Sequence, residues 1–276
     1  MSGLDMARPQ RFCIFCGRPG LTHEHVWPDW LKQYIPKDMT DYTALTATIH
    51  PTHSELRRKK QPGDIRSRRL RIVCKECNNG WMSRLQENAK PSLLPLVQGE
   101  VTAFDVPTQS LLSSWVAMFV MVAEYFDPYK VTTSQEQRTY LFENGRAPSS
   151  NWRIWIGDYQ RSKWVGHLAH FAVPISSPEY VPEIMDNGLP RPNTQTMTFV
   201  VGRLYVHVAS SMTDIFENWR LYRTDLLAQI WPIQRNIIGW PLKAMTDRDA
   251  DNIAEAFHRF SNEIGRQMTE EGWSKS

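Results

Sequence analysis

The residues most able to do chemistry in this 276-residue chain are four cysteines arranged in two C-x-x-C pairs. Cys13 and Cys16 form the first pair, and Cys74 and Cys77 form the second. Tetrahedral Zn²⁺ prefers soft thiolate ligands, and each C-x-x-C knuckle supplies two of them at a suitable spacing. The sequence therefore predicts a structural zinc site, because four thiolates leave no coordination position open for a substrate.

Polar residues with catalytic potential lie inside and directly after this cysteine frame. Glu24 and His25 lie between the two pairs, within the string THEHVWP, and Asn78 follows the last cysteine. This order resembles the HNH, or ββα-metal, endonuclease family, in particular the endonuclease VII-like subgroup with two C-x-x-C zinc knuckles. The resemblance covers about residues 13–88 and implies a treble-clef ββα-metal domain.

The resemblance also implies roles for these residues. In that family a carboxylate precedes the catalytic histidine at the end of the first strand, and an asparagine at the start of the next helix completes a divalent-metal site. Glu24 and Asn78 would hold Mg²⁺ or Mn²⁺, and His25 would act as general base in phosphodiester hydrolysis. Many relatives carry Lys or His three residues after the asparagine, where this chain has Trp81.

That departure leaves the third ligand of the divalent metal open. The substitutes that the sequence offers are Asn79, His50 and His53. These two histidines are more often ordinary loop residues, and Asn78 itself could simply cap the helix that follows it.

Charge is concentrated in the first third of the chain. Residues 1–90 contain 16 Lys and Arg against 9 Asp and Glu, a net charge of +7, whereas the rest has a net charge of −4. A basic surface beside a nuclease site suits phosphate contacts, and it makes nucleic acid, with DNA preferred, the expected partner. The candidate nucleic-acid-binding residues are Arg57, Arg58, Lys59, Lys60, Arg66, Arg68 and Arg69. A solvated charged face is the plainer alternative.

The elements that must position these residues follow from local patterns. In the first part, strands are predicted at residues 23–27, 43–50 and 69–73, and helices at 28–34 and 78–89. Three prolines at 91–107 predict a linker between a domain at residues 1–90 and a second domain at 108–276. In that second domain the patterns predict helices at 110–126, 134–144 and 247–268, and strands at 152–156, 164–173, 196–209 and 227–233. The predicted fold class is α+β.

Composition restricts the class of protein. The chain is 41% hydrophobic with eleven Trp, enough to bury a sizeable core, and its longest apolar stretch, at 115–122, is short of the ~20 residues that span a bilayer. Its opening residues lack the apolar core of a signal peptide, so a cytoplasmic protein without a membrane partner is expected. A homodimer is left open.

Two other functions are compatible with the same residues. One is a non-catalytic four-cysteine zinc module that binds nucleic acid or a protein partner. The other assigns the activity to residues 91–276 and uses the zinc part for oligomerisation.

Overall fold

The computed structural model of the chain describes residues 11–37, 41–49, 54–62, 65–148, 151–177, 179–186, 188–216 and 225–259. For residues 41–49, 54–62 and 65 it describes the backbone alone. Helices and strands are mixed along the chain, which confirms the predicted α+β class. The treble-clef form of the first part stays a prediction.

Two antiparallel pairs of strands build the first part. Strand β1 (Leu21–His25) pairs with β4 (Arg69–Cys74), and β2 (Asp41–Ile49) pairs with β3 (Ser54–Pro62). The strands predicted at 43–50 and 69–73 are therefore present, although residue 50 lies outside the described residues. The strand predicted at 23–27 begins and ends two residues earlier, at Leu21–His25. After Pro28 the predicted helix is a short 3₁₀ helix (Asp29–Tyr34).

A helical run begins directly after β4. It consists of α1 (Lys75–Cys77), a π-helical turn (Asn78–Met82) and α2 (Ser83–Gln98). Gly80 breaks the regular backbone inside the turn, with φ −97° and ψ −107°. The predicted helix at 78–89 is therefore correct in type but kinked near its start.

The segment 91–107 is not an extended linker. Helix α2 continues through Pro91 and Pro95, and strand β5 (Thr102–Asp105) follows it. Proline disfavours a helix interior, yet α2 buries Leu93 and Leu96 here, and this packing overrides the local preference. The division into two domains stays a prediction, and a cut at this point would pass through secondary structure.

Helix α3 (Val106–Ala123) is the central helix of the protein. Its N-cap, Asp105, accepts a hydrogen bond from the Thr108 amide, and almost the whole helix is buried. In the described part of the chain, one helix (Val106–Phe126) is long and apolar enough to cross a membrane, and 72% of its apolar window is buried inside the protein. This burial is what a core helix of a soluble protein shows.

The second part carries a six-stranded sheet with the order β10-β6-β9-β8-β7, and β12 pairs in parallel with β6. Its strands are β6 (Trp152–Tyr159), β7 (Leu168–Val173), β8 (Thr194–Val201), β9 (Leu204–Ser211), β10 (Leu227–Trp231) and β12 (Ala244–Met245). A separate strand, β11 (Ile237–Trp240), pairs with β5. The remaining helices are α4 (Gln135–Asn144), capped by Ser134 as predicted, and α5 (Asp247–Ala254).

The strand predicted at 196–209 is wrong as a single element. It is a hairpin of β8 and β9 that turns at Gly202, whose positive φ of 54° suits glycine. Both faces of β8 and β9 are buried, so their sequence does not alternate between polar and apolar residues. Without that alternation, the sequence does not show where the first strand ends and the second begins.

One hydrophobic core joins the first part to the second. Trp27, two residues after the end of β1, is fully buried. Its ring lies 4.8 Å from the ring of Phe119 on α3 and 5.7 Å from that of Phe199 on β8. The strand that carries Glu24 and His25 is therefore fixed against the central helix and the large sheet.

Candidate metal centre and adjoining polar site

The four cysteines converge on one point, although the two pairs are far apart in sequence. The Sγ atoms of Cys13, Cys16, Cys74 and Cys77 all lie within 4.8 Å of one another, and none is in a disulfide. Tetrahedral Zn²⁺ with Zn–S bonds of ~2.3 Å separates its sulfurs by about 3.8 Å. The cluster could therefore hold a metal ion such as zinc, as its spacing predicted.

Backbone hydrogen bonds shape the first knuckle and attach it to β4. The amide of Gly17, which has a φ of 69°, donates to the Cys13 carbonyl at 2.9 Å, and the Ile14 amide donates to the Ile72 carbonyl at 3.0 Å. The two knuckles thus meet through ordinary strand and turn bonding.

Trp81 supports the knuckles rather than offering a metal ligand. Its ring meets the ring of Phe15, between the first two cysteines, edge to face at 4.9 Å. It also contacts Phe142 of α4 at 5.9 Å. An aromatic residue at this position therefore connects the first knuckle to the second part of the chain.

Glu24 and Asn78 come together beside the cysteine cluster. The Asn78 side-chain amide donates to the Thr22 hydroxyl at 3.4 Å, and it lies close enough to the Glu24 carboxylate to lower the pKa of that group. Between Thr22 and Glu24 the pairing of β1 with β4 shifts, so that two residues of β4 oppose His23 alone. Such a bulge bends a strand and re-aims its side chains.

The Glu24 carboxyl is unusually buried for an acid. Its residue is 7% exposed, and it borders a small pocket whose apolar wall comes from α3 and the π-helical turn. That wall consists of Met82, Trp115, Met118, Phe119 and Val122. Within the described residues, no Lys or Arg forms an ion pair with Glu24.

This environment changes the acidity of Glu24. Burial raises its pKa to about 7, the hydrogen bond from Asn78 opposes the rise, and nearby Asp29 adds to it. The carboxylate form therefore lacks a compensating positive charge, a situation that a bound cation would correct.

His25, the next residue of β1, borders the same pocket as Glu24 and lies among charged side chains. Arg69 Nε lies 2.8 Å from its Nε2, and Lys32 Nζ lies 3.3 Å from its Nδ1. Asp29 Oδ1 is 3.8 Å from Nε2 and forms an ion pair with Lys32. Partial burial lowers the pKa of His25; Lys32 and Arg69 lower it further, while Asp29 opposes them, so the ring is neutral near pH 7.

The predicted nucleic-acid-binding residues have different surroundings. Arg69 contacts His25, whereas the half-buried Arg68 guanidinium lies over the Phe126 ring, 5.9 Å from its centre. Arg66 donates to the Lys37 carbonyl at 3.3 Å. The side chains of Arg57, Arg58, Lys59 and Lys60 lie outside the described residues, and their backbone belongs to β3.

The substitutes for the third metal ligand stay untested. Asn79 is exposed on the π-helical turn, and His50 and His53 lie outside the described residues.

Three contributors to the site were missed from the sequence. Thr22 could have been found from its period-two spacing with Glu24 on one strand. Asp29 and Lys32 are an i,i+3 pair, but their contact with His25 depends on how the 3₁₀ helix folds back after Pro28.

Comparison of the chain with protein-family models, with curated proteins and with solved structures finds no match in any of the three. The functional argument for this protein therefore rests on the residues of the site itself, and what those residues establish directly is a four-cysteine cluster able to hold a metal ion.

Proposed function

We propose that this protein is a metal-dependent endonuclease of the HNH type that hydrolyses phosphodiester bonds in nucleic acid, with DNA as the expected substrate. One observation carries the proposal: the Glu24 and Asn78 side chains, distant in sequence, lie next to each other beside the cysteine cluster, and His25 follows Glu24 directly. These are the three positions at which the resemblance places the catalytic groups.

The oxygen atoms of the pair suit a hard cation. Glu24 offers carboxylate oxygens, and because Asn78 uses its Nδ2 as donor, its Oδ1 stays available as an acceptor. Mg²⁺ or Mn²⁺ prefers such ligands, and when bound it would stabilise negative charge at the phosphate. The buried, unpaired state of Glu24 supports a cation as its missing partner.

His25 is suited to the proton transfer that hydrolysis needs. Its pKa lies below the ordinary value, so the ring is neutral and can accept a proton from the attacking water. Because His25 borders the same pocket as Glu24, its ring would lie near a phosphate bound at Glu24 and Asn78.

The basic residues of the first part would bind the nucleic-acid backbone. The zinc site would keep β1, β4 and the start of the helical run in register, since both knuckles adjoin these elements. In this scheme zinc has a structural role, and the divalent metal at Glu24 is a separate ion.

His25→Ala tests the proposal. Purified full-length protein would be incubated with plasmid, linear DNA and RNA, with Mg²⁺ or Mn²⁺ and with EDTA. The wild type should cleave only with the divalent ion, and His25→Ala should cleave ~10²–10⁴-fold more slowly, as expected when a general base is lost.

His23→Ala is the matched control, because His23 is an exposed histidine on the same strand. It should cleave at the wild-type rate. Wild-type cleavage by His25→Ala, or no metal-dependent cleavage by the wild type on any of the three substrates, would refute the proposal.

A non-catalytic zinc module is the second candidate. It is favoured by the contacts of His25, since both ring nitrogens already face cationic side chains and neither is free. In that case the wild type would bind nucleic acid in the same assays and cleave none of the substrates.

A further inference from the structure

His25 lies between two cationic side chains that compete for its ring. Arg69 Nε is 2.8 Å from Nε2 on one side, and Lys32 Nζ is 3.3 Å from Nδ1 on the other. A neutral imidazole has one N–H and one lone pair, so it accepts only one hydrogen bond. Arginine and the lysine ammonium are donors only. One of the two cations therefore always faces a ring nitrogen that cannot accept from it.

The remaining charges of the cluster do not remove this excess. Asp29 pairs with Lys32 and lies 3.8 Å from the His25 ring, and within the described residues it is the one acid among the charged groups in contact with the ring. Two cations against one acid leave the group formed by His25, Asp29, Lys32 and Arg69 with a net charge of +1. The cluster needs one more acceptor, preferably an anionic one.

Arg69 is placed to reach such an acceptor. Arg69 is exposed, and within the described part of the chain the two terminal nitrogens of its guanidinium form no hydrogen bond. An arginine binds a phosphate through two parallel N–H groups. One such pair includes Nε, the atom that now contacts His25, so binding a phosphate along that edge and contacting the ring exclude each other.

We propose that Lys32 and Arg69 form a binding subsite for one phosphodiester group of nucleic acid, and that this phosphate draws Arg69 away from His25. The inference rests on the proposed function and adds two features to it. Lys32 becomes a phosphate-binding residue, and in the resting state Arg69 occupies a ring nitrogen of His25, the proposed general base. The His25 lone pair then becomes free only when a substrate phosphate is bound beside it.

Dimethyl phosphate, which carries a single diester and no base, tests the subsite without any chemistry. The full chain with its zinc, labelled with ¹⁵N-histidine, would be titrated in magnesium-free buffer at constant ionic strength, and the His25 ring resonances would be followed by NMR. The wild type should show a saturable shift of these resonances.

The variants Lys32→Met and Arg69→Met should bind dimethyl phosphate about tenfold more weakly or worse, because each removes a charged hydrogen-bond donor. Arg69→Lys, which keeps the charge but not the fork, should fall between wild type and Arg69→Met. Arg71→Met is the matched control: Arg71 is an exposed arginine on the same strand that donates to the Leu21 carbonyl, and its loss should change nothing.

A wild type without a saturable His25 shift would overturn the subsite, as would equal affinities in wild type and Arg69→Met. Plasmid cleavage with Mg²⁺, measured on the same proteins, separates this result from the proposed function. DNA cleavage by a wild type that shows no His25 shift refutes the subsite alone. A His25 shift in a wild type that cleaves nothing refutes the nuclease and supports the subsite.

Discussion

Replacing Glu24 with glutamine tests whether the acid at the centre of the site is held at a cost to stability. Glu24 is 7% exposed, and its pKa is raised from 4.5 to about 7, mainly by burial. A carboxyl with a raised pKa in the folded state binds extra protons between those two values. Its favourable contribution to folding is therefore full below pH 4.5 and is lost as the pH rises through about 7.

The size of this effect follows from the shift. At about 1.4 kcal/mol per pKa unit, a rise from 4.5 to about 7 corresponds to about 3 kcal/mol at pH 8, as an order of magnitude. Glutamine keeps an oxygen for the Asn78 amide and never ionises. Glu24→Gln should therefore be more stable than wild type without Mg²⁺, by about 1 kcal/mol at pH 5 and about 3 kcal/mol at pH 8.

The free energy of unfolding would be measured with denaturant between pH 5 and pH 8, in magnesium-free buffer with zinc retained. For a chain of this length, 3 kcal/mol corresponds to a rise in Tm of about 5 °C. Adding Mg²⁺ at pH 8 should stabilise the wild type and leave Glu24→Gln nearly unchanged, because only the carboxylate gains from the cation.

Glu87→Gln is the matched control, since Glu87 is an exposed acid on α2 and its replacement should not give a pH-dependent gain in stability. A Glu24→Gln protein that is less stable than wild type at pH 8, or equally stable at every pH, would show that the burial argument is wrong.

Three further changes test other parts of the structure. Cys74→Ser should lower the zinc content and the Tm, because a structural metal contributes directly to folding free energy; a stable variant with full zinc content would count against the four-cysteine site. Replacing residues 57–60 with alanine should weaken DNA binding for all sequences and reduce the slope of log K against log salt by about 0.9 per lost phosphate contact, whereas a merely solvated run would leave both unchanged. Glu124→Gln should destabilise the protein by about 3–5 kcal/mol, because Glu124 is fully buried and its loss leaves Arg138 without its ion-pair partner; a change below 1 kcal/mol in denaturant unfolding would contradict this.

The cysteine cluster was predictable because its information is local. Each C-x-x-C spacing fixes a pair of thiolates, and the strand before Cys74 ends directly at the second knuckle. The cap at Ser134 was predictable for the same reason, since the capping box is formed within four residues. Features that depend on neighbouring residues in the chain could thus be found from the sequence.

The electrostatics of the site could not be predicted, because they depend on distant elements. Glu24 borders a pocket lined by Trp115 and Phe119 of α3, a helix that the sequence predicted to lie beyond a linker. The prolines of that segment lie inside a helix because α2 buries its leucines there, a tertiary effect that local preference does not contain. The contact of Lys32 with His25 likewise requires the turn at Pro28 to fold back onto β1.

The site has two unbalanced charges of opposite sign, one at Glu24 and one around His25, and they help to distinguish the two proposed functions. Beside Glu24 a buried acid lacks a cation, and beside His25 two cations share one lone pair. A zinc module without chemistry has no use for the cation that Glu24 lacks. A divalent cation next to the acid and a phosphate next to Lys32 and Arg69 would satisfy both together. A metal ion and the phosphodiester that it binds supply this pair of charges, which is why hydrolysis of nucleic acid is the function that the site supports best.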